Sequence, residues 1–307
     1  VDLYLPIAEV SVNAPLLIAL GALVGFISGL FGIGGGFLMT PILVFLGIPP
    51  AVAVGSLANH VAASSVSSVA AYSRRRAVDF RMGAVLAAGG AIGSVVGVEI
   101  FRILRLLGQA DLVVSVSYLL FLGVIGGLML TESLGAILRQ RRGQPAPPPR
   151  DRRPLWLYGL PLKVRFPRSR LYISVIPPLA LGIFVGILSA VMGVGGGFVL
   201  VPAMVYILRM PAQMVVGTSL FQIIITTAIT GVLQAGRNQS VDIVLAALLL
   251  IGGVIGAQLG ARASARFRAE ELRAVLALIV LLVGLQMGLG LIVRPDDPFV
   301  LMQGAGG

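Results

Sequence analysis

Apolar stretches long enough to cross a bilayer recur along this chain at 15–47, 51–73, 83–104, 112–131, 173–208, 212–235, 241–261 and 272–293. A hydrocarbon core about 30 Å thick needs about 20 such residues in a helix, and the backbone inside it must satisfy its own hydrogen bonds. Only 11% of the residues are charged and 57% are hydrophobic. A soluble domain carries about 25% charge and could not bury that much apolar surface. The expected fold is an all-α integral membrane protein of about eight transmembrane segments.

Those segments fall into two copies of a four-segment unit. GFISGLFGIGGGFLMTP, from Gly25, returns as GILSAVMGVGGGFVLVP from Gly186. Further on, Arg74, Val78 and Asp79 match Arg237, Val241 and Asp242, and Gly89, Gly90, Gly93 and Gly97 match Gly252, Gly253, Gly256 and Gly260. The chain divides into an N-terminal segment (1–14), a first repeat (15–131), a basic Pro-rich linker (132–172), a second repeat (173–293) and a tail (294–307). Repeats about a pseudo-two-fold axis suit secondary transporters, with the substrate at their interface near the midplane.

The net charge of +11 does not point to nucleic acid here, because the cations lie in loops and orient the chain. With one crossing per segment, the linker side, taken as cytoplasmic, would hold both termini and sixteen Lys or Arg against seven opposite. Arg262, Arg266, Arg268 and Arg273 fall on the wrong side for this arrangement. If the long first and fifth segments were re-entrant hairpins, the copies would be inverted; parallel repeats are the expectation. The opening residues have no basic n-region and do not read as a signal peptide.

Gly32-Ile33-Gly34-Gly35-Gly36 and Gly193-Val194-Gly195-Gly196-Gly197 sit about halfway along the first and fifth segments. Each glycine costs a helix about 1 kcal/mol relative to Ala, so both helices should break there. Pro41 and Pro202, five residues beyond, each remove a further donor. Non-helical backbone at membrane depth must be buried in protein or line a wet cavity. A half-helix starting there presents free N–H groups and a positive dipole end, which suits an anion. Gly34, Gly35, Gly36, Gly195, Gly196 and Gly197 are therefore expected to cradle one. Gly25 and Gly29, and Gly89, Gly93 and Gly97, spaced by four, read as close helix packing instead. A dinucleotide fingerprint fails, since position 37 is Phe and no soluble strand precedes it.

Thr218, Gln222, Thr226, Thr230 and Gln234 recur every four residues, as do Ser56, His60, Ser64 and Ser68, with Asn59 matching Gln222 in the repeat. Such stripes are either walls of a polar path or interhelical hydrogen bonds worth about 0.6 kcal/mol each. Both readings stay open for the hydroxyls, with Ser64, Thr218 and Thr226 as candidate ligands; Asn59, His60 and Gln222 are placed on the path. His60, the one histidine, is either a proton carrier or a neutral structural group, its counterpart being Ile223. Gln258 is a further candidate ligand. Glu99, beside Arg102, reads as an interfacial carboxylate, and Asp79 and Asp242 as helix caps. Cysteine is absent, which excludes disulfides and thiol chemistry. No nucleophile–base pair, carboxylate dyad or metal-ligand set is evident, so neither catalysis nor a cofactor is expected. The implied partners are a small anion and the bilayer, with proton or sodium coupling open.

The paired GxGGGF…P motifs, Gly55-Ser56-Leu57 and Gly217-Thr218-Ser219-Leu220 after them, the Val-Asp pairs at 78–79 and 241–242, and the Gly256-Ala257-Gln258 block resemble the TauE/SafE sulfite and sulfonate exporter family. This is also called the toluene-sulfonate uptake permease family. The resemblance covers 14–293 apart from the linker. It implies a secondary transporter of small sulfur-containing anions (sulfite, or sulfonates such as sulfoacetate), usually outward, in the bacterial inner membrane. The first copy departs from the pattern by lacking the threonine and by carrying His60, which leaves the substrate open. Alternative readings are a docking subunit that binds a partner through the linker, and an anion channel.

Overall fold

The computed structural model describes residues 2–8, 10–141, 161–238, 241–264 and 269–292. Two short strands, β1 (Asp2–Leu5) and β2 (Val10–Asn13), precede α1 (Ala14–Phe31), α2 (Gly36–Phe45), α3 (Pro50–Arg74), α4 (Phe80–Leu106) and α5 (Ala110–Arg141). The same order then repeats: β3 (Lys163–Phe166), β4 (Leu171–Ser174), α6 (Ile176–Met192), α7 (Gly197–Tyr206), α8 (Ala212–Leu233), α9 (Ile243–Ala263) and α10 (Ala269–Ile292). Among the described residues, five helical spans are long and apolar enough to cross a membrane: α1, α4, 112–131 of α5, α8 with the π-helical turn at Gln234–Asn238, and α9. The architecture is that of an all-α membrane protein whose first and fifth apolar segments are broken, each into two helices.

Small residues set the closest approaches. Gly21, Gly25 and Gly29 of α1 lie against the backbone of Leu249, Gly253 and Ala257 of α9, while Gly252, Gly256 and Gly260 lie against Ile18, Ala22 and Phe26. Gly89, Gly93 and Gly97 of α4 meet Leu179, Ile183 and Ile187 of α6 in the same manner. A side chain at any of these positions would push two backbones apart, so glycine is what lets these helices touch. Residue numbers rise together across both seams, so α1 runs parallel to α9, and α4 to α6. Each repeat thus sets its first helix against the third apolar segment of the other.

These directions overturn the parallel arrangement expected from charge counting. Gly217, at the start of α8, abuts Ala77 just beyond the end of α3, whereas Gly231, near the end of α8, abuts Ala58 and Asn59 early in α3. Helices α3 and α8 are matching members of the two repeats, yet they run antiparallel. Along α3 and α9, His60 meets Leu249 and Tyr72 meets Ser264, so α1, α3 and α9 share one direction. Along α8 and α4, Thr218 meets Asp79 and Thr226 meets Ser94, so α4, α6 and α8 share the other. The repeats are inverted.

The physical reason lies in the glycine clusters. Because α1 and α3 are parallel, α2 must return toward the end where α1 began. At Gly35 a Cβ would sit 3.0 Å from Ser28 Cβ and 3.1 Å from Val24 Cγ1, placing the loop back against the helix just completed. Each broken segment is a hairpin of two helices, leaving three single helices in each repeat. Arg102, Arg105 and Arg237 lie at one end of the bundle, with β1–β2. Arg74, Arg75, Arg76, Arg81, Lys163, Arg165, Arg168, Arg170, Arg209 and Arg262 lie at the other.

Part of the expected linker is folded. Helix α5 continues through Thr131 to Arg141, and β3–β4 pairs Lys163 with Ser174 and Phe166 with Leu171, burying Phe166 and Ile173. The Pro-rich stretch at 145–149 lies outside the described residues.

Candidate functional site at the crossed glycine hairpins

Helix α1 ends at Gly32 (φ 74°), whose N–H donates to the Ser28 carbonyl at 2.8 Å. Gly34 and Gly35 follow at φ 84° and 69° before α2 begins. Gly193, Gly195 and Gly196 repeat this at 70°, 76° and 73° before α7. Three left-handed residues in four suit only glycine, which explains the cluster composition. The two loops cross backbone to backbone: a Cβ on Gly36 would sit 2.7 Å from Gly193 O and 2.8 Å from Val194 Cα, and one on Gly197 would strike the Ile33 carbonyl. Val61 of α3 and Ile223 of α8 pack against both Gly34 and Gly195, and the rings of Phe37 and Phe198 stack at 6.4 Å. Residues 30–41 and 190–200 are all buried, so the crossing is shut from both ends.

Two helix N-termini therefore meet in the interior. The Leu38 and Met39 amides share the Gly35 carbonyl (3.1 and 3.3 Å), and those of Val199 and Leu200 share Gly196 O (3.2 and 3.0 Å). The Gly36 amide donates to Gly34 O (2.8 Å); the Phe37 amide, like those of Gly197 and Phe198, has no intrahelical acceptor, and both dipoles point their positive ends inward. Around them stand buried hydroxyls that sequence reasoning missed. Ser28, Ser65 and Ser189 are at most 1% exposed, and their Oγ atoms have no hydrogen-bond partner. Ser28 Cβ lies against Gly35; Ser189 holds the equivalent position in the second copy; Ser65 is one turn beyond Val61 on the same face of α3. Thr227, one turn beyond Ile223, places its Cγ2 3.3 Å from where a Gly195 Cβ would be, while its hydroxyl donates to Ile223 O at 2.7 Å. The available signal was the repeat itself: Ser28 and Ser189 are matched positions inside the glycine motifs.

The polar stripes occupy other faces. On α3, Ser56 accepts from Asp242 N (2.8 Å), His60 Nδ1 donates to Leu249 O (2.9 Å), Ser64 donates to Val61 O (3.1 Å) and Ser68 to Ala257 O (3.5 Å). This stripe faces α9. On α8, Thr218 accepts from Asp79 N (3.0 Å), Gln222 Nε2 donates to Thr226 Oγ1 (2.6 Å), Thr230 donates to Thr226 O (2.9 Å) and Gln234 to Ala190 O (3.2 Å). This one faces α4 and α6. The hydroxyls on these faces make interhelical or local backbone bonds. Two buried atoms in the stripes stay unpartnered, His60 Nε2 and Gln222 Oε1. Gly253 leaves room for the His60 ring, and Gly90 for Gln222 and Thr226. Asn59 lies beside Gly231, and Gln258 is exposed toward the far end of α9. Gly34, Gly35, Gly36, Gly195, Gly196 and Gly197 are the predicted residues that the fold brings together.

Inverted repeats with broken helices crossing at their shared centre are the architecture of a membrane transporter. The model of the sulfite exporter TauE/SafE family matches residues 17–287. The chain belongs to that family. Its relatives include the probable membrane transporter protein YjnA of Bacillus subtilis, 28% identical over 78% of this chain and 85% of that protein. A probable membrane transporter protein of Xylella fastidiosa is 30% identical over 76% and 78%. The TauE/SafE family protein 3 of Arabidopsis thaliana is 29% identical over 39% of this chain and 26% of its own length. No solved structure matches. The TauE/SafE assignment covers both glycine hairpins, all of α3, α4, α8 and α9, and the contacts between them.

Proposed function

We propose that this TauE/SafE protein exports small sulfur-containing anions, sulfite or sulfonates such as sulfoacetate, holding them at the crossed glycine hairpins and exposing them to each side in turn. The observation that carries the reading is the meeting of two positive helix ends beside three buried hydroxyls without partners. A buried polar group left unpaired costs about 1–3 kcal/mol, and an oxyanion would satisfy several at once. Among the described residues no Lys or Arg lies at this depth, so ligation by amides and hydroxyls is weak enough to permit release. Because the crossing is closed at both ends, access requires one hairpin with its helices to move against the other, and inverted repeats make the two openings related by symmetry.

The charge asymmetry favours a cytoplasmic location for the Arg-rich end, which places β1–β2 outside. An inside-negative potential then drives an anion outward with about 2.3 kcal/mol per charge per 100 mV, and a dianion with about twice that, enough for more than a thousandfold gradient. Uptake would need coupled cations, for which His60 is the one titratable group near mid-membrane on α3.

The test is efflux of sulfite and of a small sulfonate from proteoliposomes under an imposed potential, comparing the wild type with Ser65→Ala and Ser189→Ala. Potential-driven flux that falls at least about tenfold in the variants is expected. Absence of flux of either anion in every imposed gradient would sink the sulfur-anion assignment. Flux undiminished by both substitutions would move the site away from the hairpins.

A further inference from the structure

A cleft of about 290 Å³ opens between the C-terminal ends of α3 and α9, lined by Ser67, Ala70, Ala71, Arg74, Arg75, Gln258 and Arg262. It lies away from the hairpins, at the Arg-rich end. Arg75 is anchored, its Nη1 donating to Ala261 O at 3.2 Å, while beside it Tyr72 OH bridges Gly29 O (3.0 Å) and Ser264 Oγ (2.9 Å). Arg74 and Arg262 are exposed, and neither has an acidic partner among the described side chains. Three guanidiniums thus share one concavity whose floor is two alanines.

The inverted repeat supplies an internal control. At the matching place on α8 and α4, Arg74 becomes Arg237, Arg75 becomes Asn238, Gln258 becomes Val95 and Arg262 becomes Glu99. There Glu99 Oε2 pairs with Arg237 Nη1 at 3.1 Å, and Oε1 pairs with Arg102. The same seam is charge-compensated at one end of the molecule, and at the other it holds cations with no acidic partner among the described side chains. Favourable placement of cations at helix C-termini accounts for a basic residue at either end. It does not account for replacing the one carboxylate by a third cation and the neighbouring valine by an amide donor.

The surroundings fix the depth. The outward face of α9 presents Ile251, Ile255 and Leu259, more than half exposed, and Arg262 follows on that face; Val66 of α3, 53% exposed, leads to Ala70 and Arg74. Apolar surface of that extent faces lipid, so the cleft begins where it ends, at headgroup level. Guanidinium forks match phosphate and sulfonate oxygens in pairs.

We propose that the α3–α9 cleft is a second anion site, which holds a phosphate- or sulfate-like oxyanion between Arg74, Arg75 and Arg262 at the bilayer boundary. It is independent of which anion crosses at the hairpins. Either source of such a group fits the chemistry: the head of an anionic phospholipid lying along α9, or a free oxyanion at the mouth of the protein.

The test uses the full chain purified in uncharged detergent. Melting is followed against sulfate at constant ionic strength, and retention of phosphatidylglycerol over phosphatidylcholine by native mass spectrometry. Wild type should be stabilised by sulfate, retain phosphatidylglycerol, or both. Arg74→Gln with Arg262→Gln should weaken whichever response is seen by at least about tenfold. Arg262→Glu, which installs the residue of the matching seam, should abolish it while melting no lower than wild type, because a Glu–Arg pair is already accommodated there. Arg102→Gln with Arg237→Gln should leave the response intact, as should Ser65→Ala, which separates this site from the transport path. A sulfate response without lipid retention identifies a soluble anion; lipid retention that sulfate does not displace identifies a headgroup. A wild type that shows neither, or cleft variants that respond as wild type does, overturns the proposal.

Discussion

Asp79 and Asp242 do the same work at opposite ends of the bundle. Asp79 Oδ1 accepts from the Arg81 and Met82 amides, both at 3.2 Å, and Asp242 Oδ1 from those of Val244 and Leu245, both at 3.1 Å. The second oxygen of each ties down the β-hairpin that precedes the opposite repeat. Asp79 Oδ2 accepts from Ser169 N (2.9 Å) and Ser169 Oγ (2.6 Å), and Asp242 Oδ2 from Ile7 N (3.0 Å). One buried carboxylate thus starts a helix and clamps the other half of the protein.

Loss of either aspartate should therefore cost more than an ordinary cap, which is worth about 1 kcal/mol. Asp79→Ala strands four donors, and Asp242→Ala strands three. Both variants are expected to lose about 2 kcal/mol or more, Asp79→Ala the more, in thermal unfolding of the purified protein. Equal melting of Asp79→Ala and wild type would mean that the hairpin is not clamped there.

The inverted arrangement predicts a labelling pattern in cells. The natural chain has no cysteine, so single substitutions report without background. Gly236, beyond α8, and Lys163, on β3, lie at opposite ends of the bundle, whereas parallel repeats would put them on one side. Gly236→Cys should react with a membrane-impermeant maleimide in intact cells, and Lys163→Cys only after permeabilisation. Joint reactivity of the two would contradict the inverted topology.

Glycines of one composition class should differ sharply in tolerance. A Cβ at Gly256 would run into the Ala22 carbonyl of α1, whereas one at Gly127 of α5 meets nothing within 4 Å. Gly256→Ala should destabilise by about 1–3 kcal/mol through forced separation of the seam. Gly127→Ala should be neutral or stabilising by up to about 1 kcal/mol, because Ala is the better helix former. Unfolding midpoints of the two variants decide it.

Much of this was legible in the residues. Segment length and hydropathy gave the eight apolar segments, the glycine clusters marked where two of them break, and the spacing of Gly25, Gly29, Gly89, Gly93 and Gly97 gave the tight seams. The caps at Asp79 and Asp242 followed from position. Direction was not legible, because a glycine break does not say whether the chain continues or turns back; only the contacts of Gly217 with Ala77 and Gly231 with Ala58 settle it. The charge pattern held a clue in Arg262, which sat on the wrong side of the parallel arrangement. The stripes left two readings open because a four-residue period marks a face without saying what that face meets. Ser65 and Ser28 were overlooked because neither falls on the four-residue period of the stripes.

His60 and Gly253 provide a last quantitative check. The ring is fully buried, fixed by Leu249 O, and packed against the α9 backbone where Gly253 has no side chain; a Cβ there would lie 2.6 Å from Nδ1 and closer still to Cε1. Gly253→Ala alone should therefore be strongly destabilising, since neither the ring nor the α1 backbone on its other side can yield. His60→Ala alone should cost about 2–4 kcal/mol as a cavity forms. Together the two should cost less than their sum by about 1–3 kcal/mol, because the new methyl group enters the space the ring has left. Chemical unfolding of the four proteins closes the cycle. Additive losses would mean that Gly253 is small for the sake of α1 alone, and that His60 is free to move in its site.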